Sequence, residues 1–251
     1  VARIIILGSA AAVADAEHDN THFLIEGEAS AILVDCGSNP LGKLHRLGIA
    51  DAQMRDVILT HFHPDHVAGF PNMLMQMWLL GRKTPMRVFG LQHCLHRIEA
   101  TMVAYAWETW PNFFPIEFIA VPEKPYAPVL ETDEFHISAF PAKHFVPTIS
   151  LRVLNKKTGK VLAYTCDTEP IPSLITLARD ADILIHEAAG VGVGHSSAEQ
   201  AGECATASGA RSLVLIHYQV WNTDPAPLVD QARAVYSGPV ALARDWDTFE
   251  F

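Results

Sequence analysis

A layered α/β fold is predicted by three features of this sequence. Short apolar runs rich in Val, Ile and Leu recur along it, each of a length suited to a buried strand. Segments of helical character separate many of them, notably the Ala-rich stretch that runs to about Ser208. Several apolar runs end on His or Asp, as expected where ligands gather outside the carboxyl ends of strands in an α/β sheet. With 251 residues and no linker, residues 1–251 are expected to form a single domain.

Val1 to Leu7 reads as the first strand, being too short for a secretory core and leading straight into Gly8 and Ser9. Gly8 to Ala12 is a small-residue turn that lets backbone approach closely, and residues 11–20 form a loop. Thr21 to Glu26 and Ala31 to Asp35 are strands joined by the hairpin signal Gly27 to Ser30. The second of them ends on a carboxylate. Leu41 to Leu47 reads as a short helix and Asp56 to Thr60 as a buried strand. Residues 69–120 are the least regular; Trp107 to Phe114 is expected to pack as core, the alternative being an aromatic wall over a site. His93 and His96 fit an amphipathic helix better than a second metal site. Further on, Phe135 to Phe140 is a strand followed by His144, and Thr148 to Leu154 and Lys160 to Tyr164 pair across the tight turn Asn155 to Gly159. Leu174 to Arg179 suits a helix and Asp182 to Ile185 a buried strand. Ser196 to Glu199 fits a capping box opening the Ala-rich helix. Ser212 to Ile216 is a strand, Pro225 to Tyr236 a helix, and residues 239–243 a last strand.

The chemistry concentrates where the strand ending at Thr60 gives out. There His61, His63, Asp65 and His66 follow one another closely, and Pro64 suits a first helical turn. Imidazole is the commonest neutral nitrogen ligand, and a neighbouring carboxylate can bind a divalent ion or take a proton from the water that ion activates. Later apolar strands each deliver a further residue of ligand type: His144, Asp167, His186 and His217. Their recurrence after similar strands predicts convergence on the first cluster.

The pattern H-x-H-x-D-H formed by His61, His63, Asp65 and His66 resembles that of the metallo-β-lactamase superfamily of metallohydrolases. With His144, Asp167 and His217 following in that order, the chain resembles the two-zinc members. Ile185 to Ala188 and Gly194 to Ser197 further resemble the H-E-A and H-S-T segments of ribonuclease Z and its relatives. The resemblance implies a four-layer αββα sandwich. It also implies two zinc ions, one held by His61, His63 and His144, the other by Asp65, His66 and His217, with Asp167 bridging. Manganese or iron would suit the same donors. By the same resemblance Asp65 would orient the nucleophile, and His195 would protonate the leaving oxygen with Glu187 in support. One departure stands out. Ribonuclease Z enzymes that process transfer RNA carry a long arm between the isolated His and the bridging Asp, where this chain has only the turn Asn155 to Gly159.

Composition narrows the partners. Lys plus Arg number 18 against 28 Asp plus Glu, a net charge of −10, and no segment concentrates base, which weighs against long nucleic acid. Hydrophobic residues make up 49%, yet every apolar run breaks before the roughly 18 residues that a membrane helix needs, so no membrane partner is expected. Cys36, Cys94, Cys166 and Cys204 are too scattered for a zinc ribbon or a disulfide framework, and the cytoplasm is the default location. A homodimer is an open alternative. The expected function is a binuclear zinc-dependent hydrolase, a phosphodiesterase of the ribonuclease Z-like branch acting on a small substrate through a metal-bound hydroxide. A carboxylic ester or lactone hydrolase with the same site is the second reading. A non-catalytic, metal-retaining binding domain is the third.

Overall fold

The computed structural model describes residues 2–251, so Val1, the expected start of the first strand, lies outside the described residues. In the first half β1 (Arg3–Gly8), β2 (His22–Glu26) and β3 (Ala31–Val34) precede α1 (Pro40–Arg46). Next come β4 (Asp56–Leu59), α2 (Pro64–Val67), α3 (Gly69–Leu79), β5 (Met86–Gly90), α4 (Gln92–Ala104) and β6 (Ile116–Ala120). The second half contains β7 (Ala127–Glu131), β8 (Phe135–Pro141), β9 (Ile149–Asn155), β10 (Val161–Tyr164), α5 (Pro172–Leu177) and β11 (Ile183–Glu187). It closes with α6 (Ala198–Ser208), β12 (Leu213–Ile216), α7 (Pro227–Arg233), β13 (Val240–Leu242) and β14 (Thr248–Glu250).

These strands build two 7-stranded sheets, ordered β14-β1-β2-β3-β4-β5-β6 and β13-β12-β11-β10-β9-β8-β7. Side chains alternate across each strand. Ile4 and Ile6 therefore enter the core between the sheets, while Ile5 and Leu7 face outward beneath helices. Phe70, Met73 and Met77 of α3 and Ile98 of α4 cover the first sheet, and Leu174, Ala201, Ala205 and Ala232 cover the second. The result is the expected four-layer αββα sandwich. Because both faces of each sheet are buried, most strands read as continuous apolar runs without polar alternation.

Gly8 justifies the expected close approach at the first turn, since a Cβ there would stand 1.9 Å from the Asn20 carbonyl oxygen. The register of α6 differs by one residue from expectation. Ser197 is the N-cap: its hydroxyl accepts from Gln200 N at 3.2 Å, and Gln200 Oε1 accepts from Ser197 N at 2.9 Å. Ser-x-x-Gln serves as a capping box as well as Ser-x-x-Glu, and Ser196 is otherwise engaged, donating to the Thr168 carbonyl at 2.6 Å.

The irregular middle resolves into β5, β6 and the helices around them, with β7 following. Trp107, Trp110 and Phe113 pack against the helical side of the first sheet, where Trp110 stacks on Trp78 with ring centroids 4.9 Å apart. They are half-buried against the core, which only Phe114 of this segment enters fully, and none lines the cavity over the histidine cluster. His93 and His96 lie on α4 and join no group of metal-type donors among the described residues. All four cysteines are buried and unpaired, and no described helix is long and apolar enough to cross a membrane.

Candidate metal centre and active site

Strand exits deliver the site. His61 and His63 follow β4, and α2 carries Asp65 and His66; His144 follows β8, Asp167 follows β10, and His217 follows β12. Three exit residues, Asp35, Cys166 and His217, have positive φ of 63°, 53° and 51°. Such left-handed backbone at non-Gly positions is uncommon and is held only where surrounding contacts over-determine it. It turns the chain sharply at the sheet edge and fixes which way each side chain leaves.

Two donor sets result. Nε2 of His61 and Nε2 of His144 stand 3.2 and 3.0 Å from Nδ1 of His63. Nε2 of His66 stands 3.4 Å from Nε2 of His217, which in turn stands 3.5 Å from Oδ2 of Asp65. Nitrogens sharing one tetrahedral ion at ~2.0–2.1 Å would stand roughly 3.3 Å apart, so the spacing fits ligands directed at a common point. Asp167 lies between the sets. Its Oδ2 is 3.4 Å from His217 Nε2, 3.6 Å from His66 Nε2, 3.7 Å from His144 Nε2 and 3.9 Å from His61 Nε2. Its Oδ1 is buried without a hydrogen-bond partner among the described residues, a costly state for a carboxylate oxygen that a cation would relieve.

Supporting contacts orient these donors. Asp35 accepts hydrogen bonds from Thr60 N, Thr60 Oγ1 and His66 Nδ1, each at 2.8 Å, leaving Nε2 of His66 free to face the cluster. His144 donates through Nδ1 to the Gly194 carbonyl at 2.7 Å. Gly194 is required there, because its φ is +78° and a Cβ would stand 2.9 Å from that nitrogen. Burial alone would lower the pKa of His66, but Asp167 and Asp35 outweigh it and hold the ring well above the usual imidazole range. For Asp167, burial is outweighed by His217 and His66, which hold the carboxyl well below the usual range. Two buried carboxylates around one imidazole demand positive charge, and this donor chemistry suits a divalent ion.

Beside the cluster, Glu187 Oε1 accepts from Thr168 N at 3.0 Å, Ser196 N at 3.1 Å and His195 Nδ1 at 3.1 Å, and Oε2 accepts from Ala189 N at 3.0 Å. The bond to Glu187 raises the pKa of His195 against the effect of burial. The ring lines the cavity, and one of its nitrogens lies within 4.8 Å of a ring nitrogen of His144 and a carboxylate oxygen of Asp167. His186, one residue before Glu187, does not join the cluster. It is buried against the α5 and α6 side, where Leu174, Gln200 and Cys204 surround it, because alternation along β11 sends it to the opposite face from Ile185.

Sequence reasoning missed Asp35, Thr60 and the Gly194 carbonyl as supports; the signal available was a carboxylate at the end of β3. Above the cluster opens a cavity of about 760 Å³, within the size range of small-molecule sites.

Comparison with known proteins extends this picture. The profile of the family described as Anti-Pycsar protein Apyc1 matches residues 2–233. Ribonuclease Z of Myxococcus xanthus is 27% identical over 302 aligned positions that cover 99% of this chain and 97% of the relative. The metallo-β-lactamase fold protein YhfI of Bacillus subtilis superposes with a TM-score of 0.84 at 24% identity, covering 100% of this chain and 99% of that one. The short form of human tRNase Z gives 0.79 at 22% identity, covering 99% and 98%. At such identities the two structures establish the metallo-β-lactamase fold.

Proposed function

This chain belongs to the family described as Anti-Pycsar protein Apyc1, and from that premise and the site geometry we propose that it is a metal-dependent phosphodiesterase acting on a small diester. The observation that carries this reading is the position of Asp167, within 3.4 to 3.9 Å of four imidazoles with its second oxygen unpartnered. In this reading His61, His63 and His144 hold one ion, Asp65, His66 and His217 the other, and Asp167 serves both, with zinc the favoured metal. Such ions, when bound, lower the pKa of water and neutralise charge developing on a phosphoryl oxygen.

The protein's own groups supply the rest. Water gives one proton to Asp65 and attacks phosphorus, a new O–P bond forms, the bond to the leaving oxygen breaks, and that oxygen takes a proton from His195. Glu187 holds the Nδ1 side of His195, so the opposite nitrogen is the one presented to the cavity. Asp65, half-enclosed at the cavity floor, accepts from and orients the attacking water. A diester is favoured over a carboxylic ester by the ribonuclease Z relatives. A small substrate is favoured by the net charge of −10 and by the tight turn between β9 and β10. The return of β14 from the second half to pair with β1 supports reading the whole chain as one domain.

The test is hydrolysis of bis(p-nitrophenyl) phosphate beside p-nitrophenyl acetate, with zinc or manganese added and after chelation. Diester cleavage that chelation abolishes is expected. Cleavage of the acetate alone would replace the reading with the carboxylic ester alternative, and activity unaffected by chelation would remove the metal from it.

A further inference from the structure

Four of the exposed large hydrophobic side chains stand together at the mouth of the cavity: Val13, Phe145, Val191 and Trp221, exposed by 57, 63, 83 and 61%. They come from four separate loops, so no single amphipathic element explains their grouping. Those loops are tied to one another. Ala11 N donates to the Tyr218 carbonyl at 2.9 Å, fixing the loop of Val13 beside that of Trp221. Gln219 Nε2 donates to the Ala189 carbonyl at 3.0 Å, fixing the loop of Trp221 beside that of Val191. Phe145 reaches furthest in, with its ring centroid 5.1 Å from His144, 6.2 Å from His195 and 6.5 Å from His63. No Lys or Arg lines this cavity. Gln219, the one polar side chain of the rim outside the histidine and aspartate cluster, is engaged with the neighbouring loop. The walls therefore offer a bound molecule flat and apolar surface, with almost no directional polar contact.

We propose that Trp221 and Phe145 are specificity-determining residues of this site, taking the organic group of the diester as a flat aromatic ring by stacking and burial. The proposal rests on the phosphodiesterase reading for its reaction, and on the rim alone for its binding. Recognition of this kind selects for planarity and apolar area. It tolerates changes in ring substituents, because no wall group is placed to count hydrogen bonds.

The test compares two diesters that share a p-nitrophenolate leaving group, methyl p-nitrophenyl phosphate and 1-naphthyl p-nitrophenyl phosphate, in the metal-loaded wild type, Trp221→Ala, Trp221→Phe and Phe145→Ala. Binding of 1-naphthyl phosphate, followed by titration calorimetry, gives a readout that needs neither turnover nor Trp221 as its reporter. Stacking and burial of this size predict a KM about tenfold lower for the naphthyl diester in the wild type. Trp221→Ala should erase that preference by raising the KM of the naphthyl diester about tenfold while that of the methyl diester changes far less, Trp221→Phe should restore most of it, and naphthyl phosphate should bind about tenfold more weakly to Trp221→Ala. Equal losses on both diesters, or an unchanged preference in Trp221→Ala and Phe145→Ala, would overturn the proposal. Trp221-dependent binding of naphthyl phosphate without cleavage of either diester would support the clamp while defeating the phosphodiesterase reading. Cleavage without Trp221 dependence would do the reverse.

Discussion

Oε1 of Glu187 lies 3.1 Å from Nδ1 of His195, and the carboxylate that makes this contact is fully buried and also accepts three backbone N–H bonds. The donors to Glu187 come from the exit of β10, the exit of β11 and the approach to α6. One side chain thus locks three segments and aims a fourth group, the imidazole, at the cavity. Burial raises the pKa of Glu187, and the hydrogen bond from His195 opposes that rise.

Replacing His195 by Ala is expected to leave metal content unchanged and to lower turnover of an alkyl phosphodiester by about 10²–10⁴-fold. A p-nitrophenolate leaving group needs no proton, so its loss should be much smaller. The two leaving groups are compared on one preparation whose metal is quantified. Equal losses on both would remove the acid role, and loss of a metal equivalent would make His195 a ligand, a position its proximity to His144 and Asp167 allows.

Asp167→Ala should deplete both ions together. Its Oδ2 stands at comparable distances from His61 and His144 of one donor set and His66 and His217 of the other, so neither set keeps its shared carboxylate. Metal titration followed by calorimetry reads this directly. Retention of one tight equivalent would make Asp167 a terminal ligand of a single ion.

How legible this centre is in the sequence depends on the kind of residue. His61, His63, Asp65 and His66 are close in the chain, and their exit from an apolar run already says where they sit. His144, Asp167 and His217 are far apart in the chain, yet each follows a buried strand, so topology alone gathers them. Asp35 carries the same signal at the end of β3, but a carboxylate there could as well be a ligand, and only its three hydrogen bonds to Thr60 and His66 distinguish a support. His186 shows the converse. It follows an apolar run like the others, but it is still within β11, and side-chain alternation sends it to the helical face. Strands β5, β6, β7 and β14 escaped notice, for related reasons where a reason is visible. Met86–Gly90 and Ile116–Ala120 sit among helical residues of similar hydrophobicity, and Thr248–Glu250 is too short for a period of two to register.

The burial of His186 has a consequence for acid stability. Its pKa is pushed down to about 4 by burial, with its hydrogen bond to the Glu187 carbonyl opposing, against the ordinary 6.5. Below pH 6.5 the unfolded chain takes up a proton that the folded protein refuses, so the stability intact above that pH is lost as pH falls toward 4. At ~1.4 kcal/mol per pKa unit the loss is on the order of 3 kcal/mol. His186→Gln removes this titration, and urea unfolding at pH 7, 6 and 5 should show a shallower decline than the wild type. Parallel declines would mean that the folded protein protonates His186 with ease.

The last prediction separates a small diester from a structured RNA. Binding RNA through its phosphates requires Lys or Arg to displace condensed counterions, and each contact adds about 0.9 to the slope of log affinity against log salt. This chain carries a net charge of −10. Even the basic residues of the turn after β9 are engaged, Lys156 with Glu131 and Lys157 with Glu28, so they are not free to grip a backbone. With one or two phosphate contacts near the metal centre, raising salt from 50 to 200 mM should weaken binding by only about three- to twelvefold. A ribonuclease making six or more contacts would lose at least about a thousandfold over the same range. Cleavage of bis(p-nitrophenyl) phosphate and of a precursor transfer RNA, measured side by side at the two salt concentrations, should show the first nearly insensitive to salt and the second barely processed. Efficient RNA processing with a steep salt dependence would mean that basic residues scattered over the surface assemble a track that the turn between β9 and β10 does not supply.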